Sequence, residues 1–389
     1  MARNLLKDTP VYVVGIGMYG YRRASATTYL TMGVAAVREA LSDAAIMWEN
    51  VESAFVGSGK IGMAAAPTLA RYLGRTGLPV VQVESASASG SVAFRQAVLD
   101  VASGRCDVSL SVGVDKAEFP PDAVSKSGIR GLVDGRVEFH TMFALRTEHW
   151  LEQRSADSRQ LAAVAVKNHR NGALNPYAQR RKVRTLEEVL EPPYISGILT
   201  RLQCTPVGEG AAAAIVASAE GLTRLGIDRR RCVRVRAAVH QTQPHFDDAV
   251  GNEEEAVTRA AAREAYEQSA IGPDGLDIVE LHDAFSVEEP MYLEAMGVCA
   301  EGKALHDLAH GALDIGGRVA VSPSGGLLAM GHPVGPTGIG QVCESVRQLR
   351  GEATGRQHAN ANTALVHMVG VGGVCTIHVL ENEAEVSRR

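Results

Sequence analysis

Residues 83–94, VESASASGSVAF, are mostly small and connect an apolar stretch to a helical pattern. The stretch 78–83 predicts a strand, and the spacing of apolar residues after Phe94 predicts a helix. A helix N-terminus carries unpaired N–H groups and a partial positive charge, so a turn residue such as Ser87 would be held above an anion site. A tightly packed strand-to-helix joint without chemistry is the alternative that this stretch leaves open.

His332 lies in the glycine- and proline-rich segment 322–338, which ends where a helical pattern begins. Gly331 and Pro333 flank this histidine and fix the backbone, so its imidazole would be held rather than mobile. A restrained imidazole beside a hydroxyl or thiol nucleophile is the general-base arrangement of acyl transfer. The segment therefore predicts a functional histidine.

Two further histidines belong to strand-like segments. His282 follows the apolar stretch 276–281, and the carboxyl end of such a strand is where α/β proteins place ligands. There it could orient a water or polarise a carbonyl, or simply bond into the sheet edge. His367 precedes a glycine-rich turn, residues 370–373, whose N–H groups could hold an oxyanion. A core histidine with its hydrogen bonds satisfied is an equal interpretation of His367.

The composition excludes several classes of protein. A length of 389 residues predicts two domains or one large α/β assembly of similar halves. The net charge of -5 gives no electrostatic case for nucleic-acid binding. The six cysteines are scattered without a C-x-x-C pair, which argues against structural zinc and disulfides and fits a reducing cytoplasm. Without a signal peptide or a membrane-length apolar run, we expect a soluble, cytoplasmic protein.

Strands alternate with helices at a spacing that predicts βαβ units and a mostly parallel sheet. The alternation breaks between residues 115 and 231 and then resumes in the same order. We expect a first half formed by residues 1–114 and part of 232–250, a loop or lid insertion on this half at 115–231, and a second half at 251–389. The predicted strands are 11–17, 51–57, 78–83, 108–114, 232–239, 276–281, 363–368 and 374–380, and the predicted helices include 28–45, 65–73, 155–169, 253–269 and 286–296.

A basic run, residues 179–184, lies within the predicted insertion. Arg181 and Arg184, with Arg180 and Lys182, could contact a phosphorylated ligand. A solvated surface loop is the alternative interpretation of this run.

Four motifs, SASASGSVAF, HDAFS, SGGLLAMGHPVGPTG and HMVGVGG, together resemble the thiolase superfamily in their order and spacing over nearly the whole chain. The resemblance is to its sterol-carrier-protein-type and archaeal acetyl-CoA acetyltransferase branch, which includes thiolase-like lipid-transfer proteins. It implies an α/β protein with the thiolase fold, in which two similar halves form five α-β-α-β-α layers and one loop domain is inserted. It also implies formation or cleavage of a carbon–carbon bond beside a coenzyme A (CoA) thioester, through an acyl-cysteine intermediate.

The resemblance assigns roles to individual residues. Ser87 occupies the position of the nucleophilic cysteine, and His332 matches the histidine that activates it. His282 matches a histidine that helps to form an oxyanion hole around the nucleophilic enolate. The acid/base cysteine of this branch is replaced by Ala284, and in other thiolases that cysteine lies before the last glycine-rich turn, where this chain has His367. Cys375 lies beyond that turn and is interpreted as structural.

Further expectations concern ligands and partners. The resemblance implies CoA as a substrate, no metal in this chain, and at least a homodimer, with a small OB-fold zinc-ribbon protein as a possible partner. The backbone N–H groups of Ser87 and Gly370 are expected to hold an oxyanion. The candidates for CoA contacts are Ser324, Gly325, Arg181 and Arg184.

The leading hypothesis is a thiolase-type acyltransferase that interconverts 3-oxoacyl-CoA plus CoA and two acyl-CoAs. A serine can still accept an acyl group if His332 serves as its base. Ser87 is either a native variant or an engineered replacement of a cysteine. The alternatives are a retro-aldolase that cleaves a 3-hydroxyacyl-CoA without an acyl-enzyme, and a non-catalytic acyl-CoA-binding subunit. The residues carry no readable preference for one acyl group.

Overall fold

The computed structural model describes residues 4–118, 139–243 and 253–382. Within these ranges, no helix is both long enough and apolar enough to cross a membrane. The strands are β1 (Val11–Arg22), β2 (Ser53–Gly57), β3 (Val80–Val83), β4 (Val108–Asp115), β5 (Tyr194–Ser196), β6 (Leu199–Thr200), β7 (Glu209–Ser218), β8 (Val233–Thr242), β9 (Ile278–Glu280), β10 (Ala320–Val321), β11 (Thr363–Gly370) and β12 (Val374–Asn382). The helices are α1 (Leu5–Asp8), α2 (Tyr29–Ala44), α3 (Ala65–Leu73), α4 (Ser89–Ala102), α5 (Phe139–Arg154), α6 (Ser158–Ala173), α7 (Leu186–Leu190), α8 (Ala219–Leu225), α9 (Glu253–Ser269), α10 (Glu288–Ala295), α11 (Ala304–Ala309), α12 (Gly326–Met330) and α13 (Thr337–Arg350).

Ten strands form one sheet in the order β10-β9-β11-β12-β8-β1-β7-β4-β2-β3. Read outward from the centre of the sheet, the first half has the strand order β1-β7-β4-β2-β3 and the second half has β8-β12-β11-β9-β10. Strands at the same place in these two orders correspond to each other. The halves meet where residues 11–13 of β1 pair with residues 233–235 of β8. This confirms the predicted duplication.

The prediction of a mostly parallel sheet is wrong. Only β2–β3, β2–β4, β9–β10 and β9–β11 pair in parallel among the described strands, whereas the strands nearer the centre pair antiparallel. The hairpin β11–β12 explains part of the difference, because a three-residue connection cannot join parallel strands.

Helices α4 and α13 pack against each other between the two halves of the sheet. Residues 337–349 of α13 are all buried, since sheet residues cover the helix from both sides. Helices α2 and α3 cover the outer face of the first half, and α9 and α10 cover that of the second. The result is the five-layered α-β-α-β-α arrangement of the predicted fold class.

The segment 115–231 differs from its description as an insertion on the first half. Strand β7 lies inside this segment and pairs with β1 and β4 in the main sheet. Helices α5 and α6 share a hydrophobic core with the second half, because apolar residues such as Leu161 pack with Leu281 and Phe285. The domain boundaries as a whole stay a prediction.

Candidate active site

The serine predicted as a nucleophile lies on a strained corner between β3 and α4. Ala86 has a φ of 47°, a left-handed conformation that costs a non-glycine residue about 1 kcal/mol. The Ser89 hydroxyl stabilises the corner, because it accepts a hydrogen bond from Ser85 N–H at 2.9 Å and donates one to the Ala86 carbonyl at 2.6 Å. Ser87 itself is half-buried, so its hydroxyl is accessible at the turn before α4.

His332 contacts the serine from the other half of the protein. Its Nε2 atom lies 3.0 Å from Ser87 Oγ, and its Nδ1 atom lies 2.8 Å from Thr337 Oγ1. The Thr337 hydroxyl donates its proton to the Pro333 carbonyl at 2.6 Å, so it accepts a hydrogen bond from Nδ1–H. The proton of the neutral imidazole is therefore on Nδ1, and the lone pair of Nε2 faces the serine hydroxyl.

The surroundings of His332 keep its ring neutral. Desolvation by the surrounding protein lowers the pKa of His332 well below its usual value, and the neighbouring His282 and Lys60 lower it further. A general base must be unprotonated to act, so at neutral pH this imidazole is already in its active form.

A buried carboxylate joins the two halves beside this pair. Asp115, at the end of β4, accepts hydrogen bonds from Gly335 N–H at 2.6 Å, from Ser58 Oγ at 2.7 Å and from Lys60 N–H at 2.9 Å. Gly335 lies three positions after His332, so the carboxylate fixes the histidine loop to the first half. The sequence analysis missed Asp115, and its place at the end of a predicted strand was the available signal.

His282 lies across the site from Ser87. The centroids of the His282 and His332 rings are 5.2 Å apart, with the ring planes at 89°. The Nδ1 atom of His282 lies 3.1 Å from Glu288 Oε1, and Glu288 also accepts a hydrogen bond from Phe285 N–H at 2.9 Å. The other ring nitrogen, Nε2, is buried and has no hydrogen-bond partner in the described part of the chain.

Gly370 closes the site at the serine corner. A Cβ atom on this residue would lie 2.6 Å from the Ser85 carbonyl oxygen, closer than van der Waals contact allows. Only glycine permits the end of β11 to approach the corner this closely. The expectation that Ser87 and Gly370 share an oxyanion site is compatible with this approach.

His367 lies on the opposite face of β11 from the serine corner. Met368 packs with Ala88 on the corner side, and successive residues of a strand point to opposite faces. The Nε2 atom of His367 lies 3.0 Å from Thr258 Oγ1 of α9, and burial lowers the pKa of His367 to about 3. The structure therefore does not bring His367 to Ser87, and Gly370 is the residue at the end of this strand that meets the corner.

No cysteine among the described residues replaces the missing acid/base thiol. Cys375 lies beside His367, 3.9 Å from Thr258 Oγ1, and burial raises the pKa of its thiol to about 12. Cys204 lies opposite Phe285, donates to the Thr200 carbonyl at 3.4 Å, and has its pKa raised by burial to about 12. Ala284 carries no ionisable group, so the site lacks a thiolate.

The four residues expected to bind CoA divide into two groups. Ser324 is buried and bonds to the carboxylate of Glu280, with its N–H at 2.9 Å and its hydroxyl at 2.7 Å, and Gly325 packs against α6. Arg184 is half-buried and lies 3.2 Å from Glu188, whereas Arg181 is exposed. The arginines remain accessible to a ligand, but Ser324 and Gly325 serve the internal packing of the histidine loop.

Arg180, in the same run, has a structural role. Its Nη1 atom donates to the carbonyls of Cys204 at 2.9 Å and Leu328 at 3.0 Å. It thereby ties the basic run to α12, directly before His332.

Comparisons with known proteins show the family of this chain. Residues 11–220 match the family described as "Thiolase, N-terminal domain", and residues 239–381 match "Thiolase C-terminal domain-like". The benzoylsuccinyl-CoA thiolase subunit BbsB of Thauera aromatica is 35% identical over 376 residues, which cover 94% of this chain and 96% of the relative. An acetyl-CoA acetyltransferase of Methanothermobacter thermautotrophicus is 31% identical, covering 95% of this chain and 98% of the relative. Sterol carrier protein 2 of Oryctolagus cuniculus is 33% identical, covering 97% of this chain and 72% of the relative.

Solved structures share the fold. The Ltp2-ChsH2(DUF35) aldolase superposes with a TM-score of 0.84 at 21% identity, covering 96% of this chain and 98% of that chain. Human mitochondrial 3-ketoacyl-CoA thiolase in complex with CoA gives a TM-score of 0.73 at 16% identity, covering 97% of this chain and 98% of that chain. Both halves of the chain match thiolase domains, and relatives more than 30% identical to it align over nearly its whole length. The chain therefore belongs to the thiolase superfamily and resembles its sterol-carrier-protein and archaeal acetyltransferase members.

Proposed function

We propose that this protein is a CoA-dependent acyltransferase that makes or cleaves a carbon–carbon bond beside a CoA thioester, with Ser87 as the acyl acceptor. The observation that carries the proposal is the 3.0 Å contact between Ser87 Oγ and the Nε2 atom of His332. A hydroxyl nucleophile, an adjacent unprotonated imidazole and a third group that fixes the imidazole tautomer form the arrangement needed for acyl transfer.

In the cleavage direction, His332 Nε2 takes the proton of Ser87 while Oγ attacks the 3-keto carbon of a 3-oxoacyl-CoA. The negative charge that develops on the keto oxygen would be held by backbone N–H groups where Gly370 approaches the serine corner. The bond between the keto carbon and the α-carbon then breaks, which leaves an acyl ester on Ser87 and the enolate of an acyl-CoA.

The second half of the cycle removes the acyl group. His332 and a water held by His282 would stabilise the enolate, which takes a proton and leaves as acyl-CoA. The thiol of CoA loses its proton to the group that protonated the enolate, attacks the ester carbonyl and departs as the second acyl-CoA, and His332 returns the proton to Ser87. Synthesis is the reverse sequence.

We assign the CoA contact to the basic run around Arg181 and Arg184. Accessible guanidinium groups suit phosphate oxygens, and Arg180 holds this run directly against the segment before His332. The two arginines would then lie at the margin of the site, where an anionic part of the substrate would bind while its thioester reaches Ser87.

A retro-aldolase acting on a 3-hydroxyacyl-CoA is the second candidate. The favouring observation is that neither Ala284 nor His367 supplies an acid/base thiol. Such a reaction forms no acyl-enzyme, so the two candidates differ in whether Ser87 gains mass.

Intact-protein mass spectrometry after incubation with an acyl-CoA tests the assignment. The acyl mass should appear in the wild-type protein and be absent from Ser87→Ala, while Ser103→Ala, at the other end of α4, should be acylated like the wild type. Cleavage of a 3-hydroxyacyl-CoA by a wild-type protein that never gains mass would establish the retro-aldolase instead. A protein that binds acyl-CoA but converts neither substrate would be a binding subunit.

We infer that the protein functions as a dimer or a larger complex in the cytoplasm. Strand β3 is the edge of the sheet, and Val81 on it is 48% exposed, so a second copy would cover an open strand edge.

All six cysteines are free, which suits a reducing compartment. One relative is named as a thiolase subunit and one similar structure pairs Ltp2 with ChsH2, which supports testing a small OB-fold zinc-ribbon partner.

A further inference from the structure

A chain of hydrogen-bonding groups leads away from His282 on the side opposite Ser87. Glu288 Oε1 lies 3.1 Å from His282 Nδ1 and 3.0 Å from the Tyr292 hydroxyl. The Tyr292 hydroxyl lies 2.8 Å from Glu254 Oε2, and Arg146 donates to the same Glu254 oxygen. Glu288, Tyr292 and Glu254 thus connect the imidazole to α9 without a break, and Arg146 of α5 follows.

The chain runs from the interior toward the surface. The Glu288 side chain is fully buried, whereas the side chains of Glu254 and Arg146 are 15% and 12% exposed. Glu254 is therefore the group through which this chain can exchange a proton with solvent.

The proton count of the chain allows two arrangements. The Tyr292 hydroxyl has one proton but lies within hydrogen-bonding distance of two carboxylates, Glu288 and Glu254, so it can donate to only one of them. The second contact is favourable when that carboxyl group carries an additional proton. Burial, together with these two carboxylates, raises the pKa of Tyr292 well above its usual value, so its hydroxyl stays protonated and can pass a proton from one side to the other.

The remaining charged or titratable groups beside the chain also fit this role. Arg146 offsets the charge of Glu254, and the ring of His367, which burial keeps neutral, lies 4.7 Å from the Tyr292 ring. On the other side, His282 Nε2 is buried without a partner in the described structure and its ring meets His332. The one open position of the chain is therefore the nitrogen that faces the site.

We propose that His282 donates and accepts the proton at the substrate α-carbon, and that Glu288, Tyr292 and Glu254 form a relay that exchanges this proton with solvent. The inference rests on the proposed function, since it supplies the acid/base group that the site lacks as a thiol. His282 would be a catalytic residue, and the other three act through it.

The step balances without a further reactant. The Nε2–H bond of neutral His282 breaks as the proton moves to the enolate α-carbon. The carboxyl proton of Glu288 moves to Nδ1, the Tyr292 proton moves to Glu288, and the ionised Glu254 takes a proton from water and passes it to Tyr292. Removal of an α-proton from an acyl-CoA is the reverse, and the proton then leaves through Glu254.

Hydrogen–deuterium exchange at the α-carbon tests the relay directly. The wild-type protein would be incubated in D₂O with acetyl-CoA, phenylacetyl-CoA or succinyl-CoA, and deuterium uptake into each thioester would be measured by mass spectrometry. Without the relay the abstracted proton returns to the same carbon, so Tyr292→Phe and Glu254→Gln should each reduce exchange about 10-fold. Tyr266→Phe is the matched control, because this half-buried tyrosine donates to the Met296 carbonyl at 2.7 Å, outside the chain from His282.

Acylation of Ser87, measured in the same variants, separates the relay from damage to the fold. We expect acylation in Tyr292→Phe to stay within about two-fold of wild type, because the nucleophile and its base do not use the relay. Equal losses of exchange and acylation, wild-type exchange in Tyr292→Phe and Glu254→Gln, or no exchange of any of the three thioesters by the wild type would each overturn the proposal. If no acyl group is ever found on Ser87 but exchange depends on Tyr292, the relay stands and the acyltransferase proposal fails.

Discussion

The Nδ1 atom of His332 lies 2.8 Å from the Thr337 hydroxyl, which in turn donates to the Pro333 carbonyl at 2.6 Å. This contact holds the imidazole in one tautomer, as the third member of a hydrolase triad does, but with an uncharged group. An uncharged partner adds no negative charge to stabilise a protonated His332. The histidine is consequently unprotonated and available as a base, but it is a weak one.

Replacement of Thr337 by valine should slow acylation of Ser87 about 100-fold, because the ring can then adopt the tautomer with its proton on Nε2. Valine preserves the shape of the side chain, so the thermal unfolding midpoint should change little. Thr337→Ser keeps the hydroxyl and should retain most of the rate. Pre-steady-state acylation measurements on both variants check this, and equal rates for Val and Ser would contradict the role of the hydroxyl.

Ser87→Cys should be acylated at least about 10-fold faster than the wild type, because a thiol loses its proton far more readily than a hydroxyl and His332 is a weak base. Rapid-quench mass spectrometry with one acyl-CoA compares the two proteins directly. A slower cysteine variant would mean that the corner is shaped for the smaller oxygen nucleophile.

Gly370→Ala should reduce acylation about 100-fold, since the new Cβ would lie 2.6 Å from the Ser85 carbonyl and displace the serine corner. Gly272→Ala is the matched control, because a Cβ at residue 272 meets no atom within 4 Å. Both rates are measured by intact-protein mass spectrometry, and unchanged acylation in Gly370→Ala would show that the corner tolerates the shift.

Asp115→Asn tests the link between the halves. The amide cannot accept all of the hydrogen bonds that the carboxylate receives, so we expect a loss of about 2 kcal/mol in the free energy of unfolding. Acylation should also fall about 10-fold because the His332 loop loses its anchor. Asp277→Asn is the control, since this carboxylate accepts from Asn362 N–H at 2.8 Å and Thr363 N–H at 2.9 Å, away from Ser87. If Asp277→Asn lost as much acylation activity as Asp115→Asn, the effect of Asp115 would be explained by general destabilisation of the fold.

The pH dependence of acylation follows from the lowered pKa of His332. The base form is lost only as pH falls through this lowered value, so the rate should be constant from neutral pH to below about pH 6, where an ordinary histidine would already be mostly protonated. Lys60→Gln removes a cation that disfavours the protonated ring, so its acid limb should move to higher pH, and exposed Lys303→Gln should leave the limb in place. A wild-type limb centred near pH 6.5 would contradict the prediction.

Most outer elements could be predicted from periodicity alone. The predicted helix bounds 65–73 and 253–269 agree with α3 and α9. Each of these helices packs through one face only, so its apolar residues recur with a helical period. Strand β7 was missed because its segment GAAAAIVAS is dominated by alanine, the strongest helix former. It is a strand because α2 and α13 pack closely on its two faces, where small side chains are needed.

The site was predicted as a set of motifs but not as a network. Ser87, His332 and His282 meet because each follows or opens a turn at one edge of the sheet, which sequence spacing indicates. His367 and Gly370 were both expected in the site, but they lie three residues apart on β11, so their side chains belong to opposite faces and only Gly370 meets the serine corner. Glu288 and Thr337 were missed because their roles depend on distances that no motif encodes.

Each half of the sheet contributes one member of the candidate pair, since Ser87 belongs to the first half and His332 to the second. Each half alone would carry only the hydroxyl or only the imidazole. Reactivity is therefore a property of assembly, and a chain cleaved between its halves would lose its chemistry without losing any reacting group.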